Sequence, residues 1–305
     1  MILETAIKRF LLFLSRNSSM NRAAKKWGLR YGASRFVAGE TIREAISKVK
    51  ELNAQGLACT LDHLGEFVRS REEAIESADY CIKTLNAIHQ AGVDSNLSLK
   101  LTQLGLDIDA TMCHENMCRI LECAKQYSNF VRIDMEDYSH CQQTLTMLHE
   151  LRKEYDNVGT VIQAYLYRSE SDIKALQNVP LRLVKGAYKE SPKVAYPAKR
   201  DVDNNYKRII KQHLVSGSYT AVATHDEHII DYTKRLVSKY DIPHTRFEFQ
   251  MLYGIRTQLQ LSLAQEGYKM RVYVPYGNDW YAYFMRRLAE RPANVAFVLK
   301  SMVIK

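Results

Sequence analysis

LRLVKGAY, residues 181–188, holds three apolar, β-prone residues within its first four and then breaks into Lys-Gly. That is the signature of a short buried strand running into a loop. An arginine stands inside the strand and a lysine at its end. Seven other runs share this form: LACTLDHL (57–64), LSLKLTQLG (97–105), FVRIDMED (130–137), TVIQAYL (160–166), TAVATHD (220–226), RFEFQML (246–252) and MRVYVPYG (270–277). Amphipathic helical stretches such as REEAIESADYCIKTLNAIHQAG, HENMCRILECAKQYS and EHIIDYTKRLVSKY lie between them. Strands alternating with helices predict a parallel sheet, and eight such units predict a closed (β/α)₈ barrel. The alternative, an open doubly wound sheet, usually carries a GxGxxG turn after its first strand. No such turn exists in this chain.

The segment before residue 57 is predicted to be helical: ETAIKRFLLFLSR, NRAAKKWGLRYG and ETIREAISKVKELNAQG. The last of these puts Ile42, Ala45, Ile46 and Val49 on one face. The expected division is a helical segment over 1–56 and a barrel over 57–305. The chain of 305 residues has 43 Lys+Arg against 34 Asp+Glu, hence a net charge of +9. That balance suits anionic membranes, nucleic acid or acidic substrates without choosing among them. The positive charge is spread along the whole chain, which argues against a dedicated nucleic-acid module. The six cysteines lie in the first half, with Cys113, Cys118 and Cys123 at five-residue steps. Such steps turn by about 140° on a helix and make no stripe, so reduced thiols are expected rather than a metal cluster. No apolar run approaches the ~20 residues of a membrane span, and no secretory signal is evident. A reducing, cytoplasmic setting is expected.

In a barrel of this kind the chemistry sits at the C-terminal strand ends. Those ends carry Asp62 and Glu66, Lys100, Asp134, Gln163, Arg182 and Lys185, Thr224 and His225, Gln250, and Tyr273. Ionisable groups within short apolar strands are costly unless paired, and Lys100 and Asp134 are the clearest cases. They could form a buried pair or an inward-facing polar layer. His225 and His228 lack a convincing third zinc ligand. Lys185, or Lys100, could instead be the Schiff-base lysine of a barrel aldolase. The tract 185–200 is expected to be a long loop whose cations suit phosphate groups, or a solvated basic loop. Near the end, YFMRRLAE (283–290) puts Tyr283, Arg286, Arg287 and Glu290 on one helical face. Alone, that stripe fits either a solvated face or an anion site.

VIQAYLYRS, LRLVKGAY, ATHD, FEFQMLYG, RVYVPYG and YFMRRLAERPAN follow one another in the order and at the separations found in proline dehydrogenases, as do TLDHLGE and LSLKLTQLG. From about Thr60 to Asn294 the chain resembles that FAD-dependent family, in its monofunctional form without an aldehyde dehydrogenase domain. The resemblance implies a barrel with FAD at its mouth and a last helix lying over that mouth. It implies oxidation of L-proline to Δ¹-pyrroline-5-carboxylate, the first step of proline degradation to glutamate, with electrons passed to a membrane quinone. Arg286 and Arg287 would clamp the substrate carboxylate with Lys100, and Glu290 would balance the charge by pairing with Lys100. Tyr188, Leu252, Tyr273 and Tyr283 would wall the ring, and Asp134 would hydrogen-bond within that wall to Tyr273. Tyr273 would crowd a ring hydroxyl and so favour proline over hydroxyproline.

Arg182, Lys100 and Asp134 would be the catalytic set, with Arg182 near flavin N5. Gln163, Val184, Lys185, Gly186, Ala187, Lys199, Thr224, His225 and Glu290 would join Arg182 in holding the cofactor. Glu66 and Arg286 would form a gate. Some relatives have tryptophan where this chain has Lys189, which puts a contact on the ribose or adenine side in doubt. The amphipathic start (Ile7, Phe10, Leu11 and Phe13 beside Lys8, Arg9 and Arg16) would pack on the barrel or rest on the inner face of the membrane.

Overall fold

A computed structural model describes residues 33–65, 68–281 and 283–285. The two helices expected within 1–32, together with Glu66, Arg286, Arg287 and Glu290, lie outside the described residues. Eight parallel strands close a barrel in sequence order. They are β1 (Ala58–His63), β2 (Ser95–Leu99), β3 (Val131–Ile133), β4 (Val158–Gln163), β5 (Leu181–Val184), β6 (Thr220–Ala223), β7 (Phe247–Leu252) and β8 (Met270–Tyr276). Each matches one of the eight runs. The second differs in register: the strand is SNLSL, and Thr102–Leu104 form a 3₁₀ turn, so Lys100 stands just past the strand end. Polar Ser95 and Asn96 hid that strand's start. Helix α1 (Ile42–Asn53) precedes β1, and α2 (Arg71–Ala91), α3 (Ala110–Gln126), α4 (Tyr138–Leu151), α5 (Ser169–Ala175), α6 (Lys199–Val215), α7 (Glu227–Lys239) and α8 (Thr257–Gln265) fill the crossovers.

Alternation along the strands explains why the barrel holds. Residues paired across neighbouring strands point to the same side. One parity (Cys59, Leu61, Leu97, Leu99, Val131, Ile133, Leu181, Leu183, Phe247, Phe249, Val272 and Val274) is buried among apolar helix faces in one large core. Burying each large aliphatic or aromatic side chain there contributes roughly 1.5–3 kcal/mol. The other parity faces the barrel axis and is strongly polar. Through the registers Asp62↔Ser98↔Arg132, Val161↔Arg182↔Ala221↔Glu248 and Gln250↔Arg271 it brings charged groups from five strands to one interior. Gly159 makes room there, because a Cβ at that position would strike the Arg132 guanidinium and the Pro180 carbonyl.

Helix starts are set by local caps. Thr41 and Glu44 form a capping box on α1, and Ser70 and Asp109 cap α2 and α3. Asp137 caps α4 and Asp226 caps α7, each a few residues past a strand end at the mouth. Helix α1 buries Ala45, Ile46, Val49 and Leu52 in the barrel's own outer core.

At the mouth a second apolar cluster joins Phe36, Val37, Leu64, Ile255, Trp280, Tyr283 and Phe284, with Leu252 packed against it. Residues 280–281 and 283–285 are helical. Their partners Leu64, Leu252 and Ile255 all lie at C-terminal strand ends, so the last helix begins over the mouth. Trp280 Nε1 donates to Glu40 Oε1 at 3.1 Å, tying the helix start to the segment before α1.

Candidate active site

The centre of the mouth is a carboxylate, Asp134, one residue past β3. Arg182 Nη1 donates to its Oδ1 at 2.6 Å and the Ser98 hydroxyl to the same oxygen at 3.1 Å. The Tyr273 hydroxyl donates to Oδ2 at 2.8 Å, and Lys100 Nζ lies 3.8 Å from that oxygen. Lys100 is also 3.3 Å from Asp62, which is buried on β1. The expected pairing of Lys100 and Asp134 and the expected Tyr273–Asp134 bond are both present. For Lys100 the carboxylates paired with it among the described residues are Asp62 and Asp134; Glu290, assigned to it by resemblance, lies outside the described residues. Asp62 and Ser98 carry no assigned role in the sequence reading. They become visible once strand parity is known, since both share the inward face with Lys100.

Charge makes this cluster coherent. A lone buried ammonium or carboxylate would neutralise itself, but two carboxylates facing Lys100 and Arg182 satisfy one another. Burial first, then Asp134 and Asp62, pushes the Tyr273 phenol well above its ordinary range, so it remains a proton donor to Asp134. Arg182 is anchored at each nitrogen: Nε donates to Gln250 Oε1 at 2.6 Å and Nη2 to Ser98 Oγ at 3.0 Å. Its guanidinium carbon lies 5.2 Å from the Tyr273 ring centre, a cation–π contact. Gln103, in the 3₁₀ turn, donates to the carbonyls of His63 (2.9 Å) and Gly65 (2.7 Å) and accepts from the Lys100 amide (3.2 Å). It thereby fixes the ends of β1 and β2 relative to each other.

One wall of the mouth is formed by β4 to β7. Gln163, the last residue of β4, donates to the carbonyl of Glu136 at 3.0 Å, while its Oε1 is buried and finds no donor among the described residues. Gly186 has a left-handed φ of +109°, and a Cβ there would overlap the ring of Tyr165. Its near neighbour is that ring, so the glycine is required by packing as well as by backbone conformation. Lys185 is held between Asp203 and Asp226, the latter at 2.7 Å, and Lys199 pairs with Asp203. The basic tract is therefore partly neutralised, with Val184, Gly186 and Ala187 running beside it. Thr224 Oγ1 accepts from the Asp226 amide at 3.1 Å. The Leu252 amide donates to His225 Nε2 at 3.0 Å, which makes that nitrogen an acceptor and puts the ring proton on Nδ1. Tyr188 is 43% exposed at the rim.

The Schiff-base alternative loses its footing here. A lysine nucleophile must present its amine to a carbonyl, whereas Lys185 is held in ion pairs with Asp203 and Asp226, and Lys100 with Asp62 and Asp134. The thiols are equally unsuited to chemistry: burial pushes Cys59, Cys81 and Cys113 up to about 12.

Fold and site together define a (β/α)₈ enzyme whose chemistry is organised by a compensated cluster of charges at the C-terminal mouth. The proline dehydrogenase family model matches residues 45–300, and the chain belongs to that family. It is 53% identical over 298 residues to proline dehydrogenase 2 of Bacillus subtilis (strain 168), covering 97% of this chain and 98% of that protein. It is 49% identical over 286 residues to the proline dehydrogenase of Deinococcus radiodurans, covering 92% and 91%. Among solved structures it resembles proline utilization A (PutA) from Bdellovibrio bacteriovorus, inactivated by N-propargylglycine. The TM-score is 0.83 at 28% identity, over 94% of this chain and 36% of that one. The chain thus corresponds to the proline-oxidising part of such larger proteins, and proline oxidation in proline catabolism is its function.

Proposed function

We propose that this chain oxidises L-proline to Δ¹-pyrroline-5-carboxylate with FAD at the barrel mouth, passing the electrons to a membrane quinone. The observation that carries the cofactor assignment is the buried, donorless Oε1 of Gln163. It lies at the end of β4, paired in register with Val184 and one step above Arg182. A buried acceptor without a donor costs about 1–3 kcal/mol, which a ring N–H of an isoalloxazine would recover. FAD, when bound, supplies the acceptor for the hydride that leaves the proline carbon beside nitrogen. The residues that would hold it are Gln163 and Arg182, the backbone of Val184, Gly186 and Ala187, and Lys185, Lys199, Thr224 and His225 toward its phosphates and ribose.

Lys100 would lend positive charge to the substrate's carboxylate. Arg286 and Arg287 are assigned the carboxylate clamp on sequence grounds, Glu290 its balance, and Glu66 with Arg286 the gate. Leu252, Tyr273 and Tyr283 would confine the apolar ring, with Tyr188 at the rim. Asp134 accepts hydrogen bonds from both Tyr273 and Arg182 and so orients them. The amine must lose its proton before hydride transfer, and no residue is assigned as its base.

No described helix is long and apolar enough to cross a membrane. The net charge of +9 would draw the chain to an anionic leaflet, where a quinone is available. The deciding experiment is the visible spectrum of the purified chain. A flavin band that bleaches on anaerobic addition of L-proline is expected. A chain that turns proline over with no flavin in it overturns the proposal.

A further inference from the structure

Below the mouth a further buried carboxylate, Glu248 on β7, takes no part in the site described above. It is 1% exposed and lies two residues before Gln250 on the same inward face. Arg271 Nε donates to its two oxygens at 3.0 and 3.1 Å, and the Tyr219 hydroxyl donates to Oε2 at 2.9 Å. Lys269 is 3.7 Å away. Burial pushes the Glu248 carboxyl up, but Arg271, then Lys269, then hydrogen bonds from Gln250 and Tyr219 outweigh it and hold it below its ordinary value. It is a carboxylate, and a carboxylate only accepts.

Gln250 completes the connection. Its side-chain amide has one donating and one accepting end. Nε2 donates to Glu248 Oε1, so Oε1 is turned toward Arg182 and accepts from Nε at 2.6 Å. Reversing the amide would set two acceptors against each other at Glu248 and two donors at Arg182. The same guanidinium reaches Asp134 and Ser98 through its other nitrogens. We propose that Glu248 is a positioning residue: acting through Gln250, it fixes the plane of the Arg182 guanidinium and so the geometry of the Asp134 cluster at the mouth. That this geometry matters to turnover rests on the function proposed above; the orientation itself does not.

The test reads the Arg182 Nε–H directly, by ¹⁵N NMR of the full chain, its resonance identified by loss in Arg182→Lys. A buried, hydrogen-bonded Nε–H exchanges slowly with solvent. Removing the pair as a unit, Glu248→Leu with Arg271→Met, takes one charge of each sign from the barrel together. In that variant Nε–H exchange should quicken by about tenfold or more, and kcat for proline should fall about tenfold with KM moving less than about twofold. Tyr219→Phe, which leaves the carboxylate and Gln250 in place, should retain slow exchange. If the paired variant does not fold, Gln250→Leu keeps Glu248 and Arg271 together and should show the same loss. Exchange as slow as in the parent chain, in whichever of these two variants folds, overturns the proposal. A protein without flavin would defeat the functional reading while the exchange measurement still decides this one.

Discussion

The two ends of the barrel interior use the same residue types for different purposes. At the N-terminal end Glu248 is saturated by Arg271, Tyr219 and Gln250. Arg271 also donates to the Cys59 carbonyl, and Arg132 donates to the carbonyl of Thr160 at 3.0 Å. Burial first, then the neighbouring Arg182, pulls the Arg132 guanidinium down to about 9. At the mouth, Asp134 and Lys100 are also buried, though less deeply, at the end of the barrel where Leu252 and Tyr283 pack. Gln163 Oε1 remains without a donor there. The lower charges bond to one another and to strand carbonyls, although Arg132 Nε is itself without a partner among the described residues, whereas the upper ones gather at the open end of the strands. Stability should therefore follow the lower charges and turnover the upper ones.

The largest effect should come from Arg271→Met. It strips the principal cation from a fully buried carboxylate and should cost about 3–5 kcal/mol, read from the shift in urea midpoint. A loss under about 1 kcal/mol would break the distinction between the two ends. Asp134→Asn should do the opposite, lowering kcat/KM for proline about a hundredfold while the urea midpoint moves far less. If stability and activity fell together, the mouth cluster would be as structural as the lower one. Tyr273→Ser is subtler. It should relax the preference for proline over hydroxyproline by about tenfold, measured as the ratio of the two kcat/KM values. An unchanged ratio would remove Tyr273 from the specificity wall.

The smallest effect concerns the rim. His140 bridges Asp137 at 2.7 Å and Asp107 at 2.9 Å, tying the start of α4 to the loop after β2. Burial lowers its pKa, but the bonds to Asp137 and Asp107 outweigh this and raise it above 6.5. A raised histidine contributes stability that is fully present below the unfolded value and is lost as pH rises through the folded one. The Tm difference between the parent and His140→Gln should thus be larger at about pH 6 than at about pH 9. A difference independent of pH would mean the bridge acts as a neutral hydrogen bond.

Much of the fold was legible because strand and helix periods are local. LRLVKGAY and its seven counterparts each became a strand, and the one misplaced register, at β2, began on polar Ser95 and Asn96. Within the site, Lys100, Asp134 and Arg182 stood out as charges in apolar surroundings, and they do meet. Asp62, Ser98, Gln250 and Glu248 were less visible as partners because their importance depends on which strand face looks inward. That parity cannot be assigned while neighbouring strands, dozens of residues away, are unplaced.

Alternation, helical periodicity and the count of eight βα units, all written in residues a few positions apart, were enough to determine a barrel with a polar mouth. Which carboxylate meets which cation was decided only on closure. Asp62, Lys100, Asp134, Arg182, Gln250 and Tyr273 come from six different strand ends or interiors, and only the stagger of a closed sheet sets their separations. The charges are individually costly in such an interior, and it is their convergence that gives each a partner of opposite sign.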